Sequence, residues 1–280
     1  MNETLTRRTA ESRDTFTSVE RAFDIVALIA DASDGLTLSV IARELHVNKA
    51  IADRLLATLL KIGLLWRDDR LQTFHLTYRI SNLGLKQLQR GHLLDLCSSE
   101  LRQLAEETGE LARLAVVEGS DTITWVYATV GQKRGLHIDP NYTLEVDLHA
   151  HATGKAWLST MPFDRAWALM QKDGFEKFTS NTLTDKAELE AELAEAAGRG
   201  FAVSCDESEL GVGAVAAPIH AATINGETEC VGCVSLAAPT SRMNRGDFVD
   251  TGPRLIETVE HLGRQWPFDE RTRNLRARRF

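Results

Sequence analysis

The chain has 280 residues, 43% of them apolar, and a formal net charge of −8. That length suits about two domains at roughly 100–200 residues each, and the apolar share excludes wholesale disorder. No apolar run approaches the roughly 18 residues of a membrane span, and the opening MNETLTRRTAESRDTF lacks the apolar stretch of a signal peptide, so a cytoplasmic protein without a membrane partner is expected.

The charge is unevenly spread. Met1 to Asp95 carries 13 Lys/Arg against 12 Asp/Glu, Cys97 to Trp266 carries 14 against 26, and Pro267 to Phe280 carries five Arg against two acids. The acidity belongs to the C-terminal two-thirds, which leaves a nucleic-acid role open for the front.

Residues 1–15 read as a polar, disordered tail. Val19, Ala22, Phe23, Val26 and Ile29 then recur at helical spacing, and Asp34-Gly35 breaks the pattern. Thr37 is placed to cap a second short helix with Val40, Ile41 and Leu45 on its apolar face. A turn at His46-Val47-Asn48 leads into a third helix, whose apolar positions are Ile51, Leu55, Leu59 and Ile62 and whose stop is Gly63. In LLWRDDRLQTFHL, Leu64 to Leu76, two β-prone ends flank Asp68-Asp69, as in a hairpin with charge at its tip. Over 16–80 this order describes a winged helix-turn-helix, which lays its third helix in the DNA major groove. Lys49 and Arg54 lie near the start of that helix, and Arg67 and Arg70 lie on the hairpin. Such charges supply phosphate affinity, while helix-borne side chains read base edges. Periodicity alone fits a small helical bundle with solvated charges equally well.

The stretch SVERAFDIVALIADASDGLTLSVIARELHVNKAIADRLLATLLKIGLLWRDD resembles the DNA-binding domain of the IclR-type bacterial transcriptional regulators, with "S-ERA--I---I", "L---A-EL-V-K" and "RLLATL---GLL" in register. The resemblance extends from about Phe16 to Trp266. It implies an operator-binding regulator that works as a homodimer or pair of dimers and takes a small-molecule effector. The DNA-contacting set expected on this docking is Arg43, Asn48, Lys49, Ala50, Asp53, Arg54, Arg67 and Arg70. One departure stands out. The family usually opens its third helix with Ser or Thr, whereas this chain has Ala50, Ile51, Ala52 and Asp53. Asp53 either accepts from a cytosine amine or is a surface charge near Lys49.

Residues 81–96 carry leucines at 83, 85, 88, 93, 94 and 96. The resemblance implies a linker helix there, which Gly91 is placed to bend or break.

Residues 97–266 read as an α+β effector domain. RLAVVEG and DTITWVYA form a hairpin about Gly119-Ser120. Helices are expected at Ser99 to Glu107, Gly154 to Thr160, Phe163 to Met170, Lys186 to Arg199 and Arg254 to Leu262. FAVSC, VGAVAAPIH and CVGCVSLAA read as strands. Strands grouped beside helices without βαβ alternation imply an antiparallel sheet. Cys230-Val231-Gly232-Cys233 is a CxxC, but residues three apart on a strand point to opposite faces, so the thiols are not expected to converge. Four cysteines are too few for a disulfide scaffold.

LHAHATGKAWLS, GFAVSCDESELGVGAVAAPI and VSLAAP resemble the family's "LHATAxGKAxLA", "GYAxDxEExxxGVxxxAAPV" and "xSxSGP". They imply a GAF-like domain, an antiparallel sheet with flanking helices. Carried over by motif, the effector contacts are Ala152, Thr153, Ser204, Asp206, Ala214, Ser235 and Ala237; His151, where the family usually has a small or hydroxylated residue, is expected to add this chain's own ligand preference. The helix start near Ala152 to Lys155 is expected to offer its amides to the effector, an organic acid or aromatic metabolite. A Walker-type phosphate loop is excluded, because it needs glycine where His149 stands and Ser or Thr where Ala156 stands.

No cofactor and no metal site is expected. The alternative reading is a metal-dependent hydrolase or lyase built on His149, His151, Asp206 and Glu209. The basic tail 267–280 is expected to be a solvated end, or else a contact for DNA or an acidic neighbour.

Overall fold

A computed structural model of the chain describes residues 17–90, 92–131, 138–139, 145–222 and 227–266. The two expected tails and Gly91 lie outside the described residues. The chain divides into two compact units, with the boundary between Gln87 and Leu88.

In the first unit, α1 (Thr17–Ala30) is followed by β1 (Leu36–Thr37), α2 (Leu38–Glu44) and α3 (Lys49–Lys61). A hairpin of β2 (Leu65–Asp68) and β3 (Thr73–Leu76) comes next, then α4 (Arg79–Arg90), whose last three residues pass the unit boundary. The three strands form one antiparallel sheet in the order β1-β3-β2. Local chemistry sets the boundaries. The Thr37 hydroxyl accepts from the Val40 amide at 3.4 Å and starts α2; the Asn48 carboxamide accepts from the Ile51 amide at 2.9 Å and starts α3. Between these helices His46 holds a left-handed φ of 52°.

Two expected faces are shifted. Ile25 and Ile29 of α1 are buried, while Val19 and Phe23 are 55% and 70% exposed. On α3 the buried positions are Ala52, Leu56 and Leu59, and Ile62 is 45% exposed. Both helices carry more apolar residues than one face holds, so the partner selects the face. Ile25, Ile29, Leu56 and Leu59 meet Ile41, Leu65 and Phe74 in one core.

The second unit opens with α5 (Leu93–Thr108), followed by β4 (Leu111–Glu118), β5 (Thr122–Val130), α6 (Ala152–Leu158), α7 (Phe163–Asp173) and α8 (Lys186–Arg199). Strands β6 (Ala202–Cys205), β7 (Val212–Ala222) and β8 (Thr228–Pro239) and helix α9 (Arg245–Gln265) complete it. Its sheet is antiparallel throughout, in the order β5-β4-β8-β7-β6. Alternation along the strands builds a core on each face. Leu114, Val215, Val234 and Leu236 pack with Leu101 of α5 and Leu255 of α9. Ala115, Ala202, Ala216 and Cys233 pack with Trp157 of α6, Met170 of α7 and Leu189 of α8.

Helix α9 begins well before the expected Arg254. Asn244 accepts from the Gly246 and Asp247 amides, and Asp247 accepts in return from the Asn244 amide, a capping box that carries the helix through Pro253.

The β8 expectation is corrected at one point. Ile219 pairs with Gly232 but His220 pairs with Cys230, so Val231 is an extra residue. This β-bulge breaks the alternation. Cys230 and Cys233 consequently pack against the same core, under α6, α7 and α8.

Candidate functional site

In the first unit the buried stripe Ala52, Leu56 and Leu59 leaves the opposite side of α3 in solvent. Asn48, Lys49, Ala50, Asp53 and Arg54 are all exposed. Arg67 and Arg70 are exposed on the hairpin. The wing is held by its own polar groups. The Asp68 carboxylate accepts from the Arg70 and Leu71 amides at 2.8 and 3.0 Å. The Arg67 guanidinium bonds the Gln72 side chain, lies 3.7 Å from the Asp69 carboxylate and sits 5.6 Å above the Phe74 ring.

Arg43 is also exposed, but its guanidinium is bound by its neighbour Glu44 at 2.8 Å. Asp53 makes no ion pair with Lys49 or any other described residue. It shares with Arg67 the lining of a cleft of about 180 Å³ between the start of α2, α3 and the wing. Ser39 and Gln72 line that cleft too, and the sequence reading passed over both.

In the second unit the strand register assembles most of the expected effector residues. Ser204 pairs with Ala214, and Ala214 pairs with Ala237, which makes one row across β6, β7 and β8. In the adjoining row Ala216 pairs with Ser235, and Ser235 pairs with Arg113 on β4. Both rows face α6. The Ser204 hydroxyl donates to the Ala150 carbonyl at 2.7 Å and ties β6 to the turn that precedes α6. This brings His151, Ala152 and Thr153 over the same face; Ala152 and Thr153 are buried.

Asp206 belongs elsewhere. It lies beyond β6 with φ at 57°, and its carboxylate accepts from the Gly211 amide at 2.6 Å and the Thr240 hydroxyl at 3.3 Å. That carboxylate closes the loop between β6 and β7.

Two residues of this face were missed. Arg113 is only 9% exposed and lies 5.1 Å from the Trp125 ring centroid on β5. The indole Nε1 of Trp125 is buried with no hydrogen-bond partner among the described residues. A charged residue inside the apolar run LARLAVV was the available signal for Arg113.

His151 accepts from the Asp147 amide through Nδ1 at 2.9 Å, so its neutral ring carries the proton on Nε2. Burial, then the charge of Arg113 and the His149 ring, lower its pKa to about 4. The Asp147 carboxylate lies 3.6 Å from the same nitrogen, too far for a hydrogen bond and too weak to hold the ring charged.

Helix α6 has only seven residues, so its amides contribute less than expected to the fixed positive charge here. The Arg113 guanidinium, which donates to the Asp139 carbonyl at 3.4 Å, adds positive charge to this face. Its Gly-Lys pair is structural. Lys155 is fully buried and its Nζ lies 2.6 Å from the Glu207 carboxylate. A Cβ on Gly154 would stand 2.5 Å from the Leu148 Cα and carbonyl oxygen.

The residues of the enzyme alternative do not converge. His149 is buried with Nε2 at 2.9 Å from the Glu176 carbonyl, between Phe175 and Phe178. Asp206 closes its loop and Glu209 is exposed. Among the described residues no three His, Cys, Asp or Glu side chains are grouped to hold a metal. A separate cavity of about 330 Å³ lies between the ends of α6 and α8, β7 and α9, and none of the expected effector residues lines it.

Two family models match the chain, the IclR helix-turn-helix domain over residues 18–69 and the bacterial transcriptional regulator IclR C-terminal domain over residues 85–264. The chain belongs to the IclR family of bacterial transcriptional regulators. It is 31% identical over 254 residues to the HTH-type transcriptional regulator BhcR of Paracoccus denitrificans, covering 90% of this chain and 88% of that one. It is 24% identical to the transcriptional repressor IclR of Escherichia coli, with 91% of each covered. The fold matches the crystal structure of an IclR transcriptional regulator from Alicyclobacillus acidocaldarius with a TM-score of 0.77 at 24% identity, over 90% of this chain and 99% of that one. It also matches an IclR homolog from Microbacterium hydrocarbonoxydans complexed with 4-hydroxybenzoate, with a TM-score of 0.70 at 18% identity over 88% and 97%. Among the described residues no helix of this IclR-family chain is long and apolar enough to cross a membrane.

Proposed function

We propose that this regulator binds operator DNA through the exposed side of α3 and the wing, and that a small organic acid or aromatic effector on the sheet face under α6 modulates that binding. The reading makes the protein a cytoplasmic homo-oligomer without enzymatic activity. One observation carries the DNA half: the buried stripe Ala52, Leu56 and Leu59 turns Lys49 and Arg54 outward on the same unit that bears Arg67 and Arg70. Lys49 and the guanidinium groups neutralise phosphates, and the start of α3 enters the major groove. Asp53 beside Arg67 takes the place of the hydroxyl residues usual in the family.

The effector half is supported by Arg113, a buried cation on the face that gathers Thr153, Ser235 and His151. A carboxylate suits that charge, and the Trp125 ring suits an aromatic body. The solved homolog that holds 4-hydroxybenzoate fits this class. Oligomerisation is supported by Val19 and Phe23 of α1 and Leu83 and Leu85 of α4, each more than half exposed in the single chain.

The test starts with an operator selected in vitro from random duplexes. Lys49→Ala with Arg54→Ala is expected to weaken its binding and to flatten the salt dependence of log K by about 2, the loss of two phosphate contacts. An unchanged affinity and slope would sink the docking. A thermal-shift screen of small organic and aromatic acids tests the effector half, because a ligand of the folded state raises its melting temperature.

A further inference from the structure

Cys230-Val231-Gly232-Cys233 is used by neither DNA docking nor effector binding. A straight strand would hold its two thiols about 10 Å apart at the Cα atoms and on opposite faces. The bulge at Val231 turns both side chains to one face, under α6, α7 and α8, and bends the strand between them. Gly232 permits the bulge. Its Cα approaches the Ala115 carbonyl so closely that a Cβ would stand 2.4 Å from the oxygen.

The Cys230 thiol donates to the Gly232 carbonyl at 3.3 Å within the bulge, and the two thiols perturb each other's titration. Cys230 is half-buried and Cys233 fully buried, so one thiol is outer and one inner. The other two cysteines stand apart from the pair. Cys97 lies on α5 and Cys205 at the end of β6, and both pack with the core on the opposite face of the sheet.

We propose that Cys230 and Cys233 are a peroxide-responsive pair that closes to a reversible disulfide. The Cys230 sulfur attacks one oxygen of a hydroperoxide. The S–O bond forms, the O–O bond breaks, and the departing oxygen takes up the thiol proton to leave as water or an alcohol. Cys230 is then a sulfenic acid. The Cys233 sulfur next attacks the Cys230 sulfur. The S–S bond forms, the S–O bond breaks, and the hydroxyl leaves as water with the Cys233 proton. The two sulfurs together give up two electrons, and the peroxide receives them. Two equivalents of a small thiol reverse the change by exchange.

The division of labour follows from burial. Desolvation and the neighbouring Cys230 push the Cys233 thiol well above its ordinary pKa, so it is the poorer first nucleophile and the half-buried Cys230 meets the peroxide first. The disulfide would sit two residues from Ser235 on the same strand.

The experiment treats full-length protein with hydrogen peroxide, alkylates it and digests it with trypsin. Cys205, Cys230 and Cys233 fall in one peptide, Gly200 to Arg242. The expected product lacks two hydrogens, carries its bridge between Cys230 and Cys233, keeps Cys205 alkylated, and reverts with dithiothreitol. Alkylation of all three cysteines, or a bridge to Cys205, would overturn the proposal. Cys233→Ser supplies a second measurement. Dimedone should trap a sulfenic acid at Cys230 in that variant and little in the parent, whereas equal trapping in both would remove Cys233 as the resolving thiol.

Discussion

The Lys155 ammonium lies 2.6 Å from the Glu207 carboxylate, with the lysine fully buried and the glutamate 4% exposed. This pair joins α6 to the loop between β6 and β7, which Thr182 also holds by donating to the Glu207 carbonyl at 2.6 Å. Glu192 of α8 lies 3.8 Å from the same ammonium and 3.4 Å from Arg245 at the start of α9. The motif that resembles a phosphate loop thus spends its lysine on an internal ion pair that fixes the frame of the effector face.

Lys155→Met is expected to destabilise the second unit by about 3–5 kcal/mol, because it leaves the Glu207 charge buried without its partner. Burial already raises the Glu207 pKa and Lys155 opposes that rise. A carboxylate whose pKa is raised on folding loses stability as pH climbs from its unfolded toward its folded value. Removing the lysine extends that range upward, so the penalty should be larger at pH 8 than at pH 5. Denaturant melts at both pH values measure it, and a penalty that is equal at both would contradict the assignment.

His151 makes stability fall with acid. Its pKa is about 4 in the fold against an ordinary 6.5, so between these values the unfolded chain binds the proton more tightly. That contribution to stability is complete above pH 6.5 and is lost as pH drops toward 4, on the order of 3 kcal/mol in all. His151→Gln should flatten the stability profile in this window. Arg113→Gln should raise the His151 midpoint as read by NMR of the ring protons, since the guanidinium is one of its causes. A midpoint unmoved by Arg113→Gln would remove the guanidinium from the causes and leave burial and the His149 ring.

Gly154→Ala tests the structural reading of the Gly-Lys pair. Its new methyl would meet the Leu148 backbone at 2.5 Å, so a loss of about 1–3 kcal/mol is expected. Inorganic phosphate should shift the melting temperature of parent and variant by the same amount. A rise with phosphate in the parent alone would restore the phosphate-loop reading.

Legibility differed by feature. Thr37 caps α2 as expected, because an N-cap depends on residues two or three apart in the chain; Asn48, read as part of a turn, caps α3 by the same short-range chemistry. The helix α8 likewise runs over Lys186–Arg199 as expected, between the Asp185 cap and the left-handed Gly200. The start of α9 was also written locally, in the Asn244 and Asp247 capping box, which the expected start at Arg254 passed over. Which apolar residues of α1 and α3 face inward was not legible, since both helices offer more than one apolar face.

The candidate sites divide in the same way. Lys49, Arg54, Arg67 and Arg70 were readable as exposed cations from their spacing alone. Ser204, Ala214 and Ala237 were named by motif, and their alignment in one row follows from strand register. Arg113 and Trp125 required the fold, because the pairing of Arg113 with Ser235 joins strands more than a hundred residues apart.

The sequence by itself determined the Thr37 cap, the extent of α8, the wing hairpin and the family, all of which are recorded in short-range spacing or contiguous motifs. Only the tertiary structure decided that Lys155 is internal, that Asp206 closes its own loop, and that Cys230 and Cys233 share a face. These outcomes draw on neighbours distant in the chain: Glu207 in the β6–β7 loop for Lys155, Thr240 beyond β8 together with the nearer Gly211 for Asp206, and the β7 register that makes Val231 a bulge. Burial and register are properties of the assembled sheet, and no local pattern encodes them.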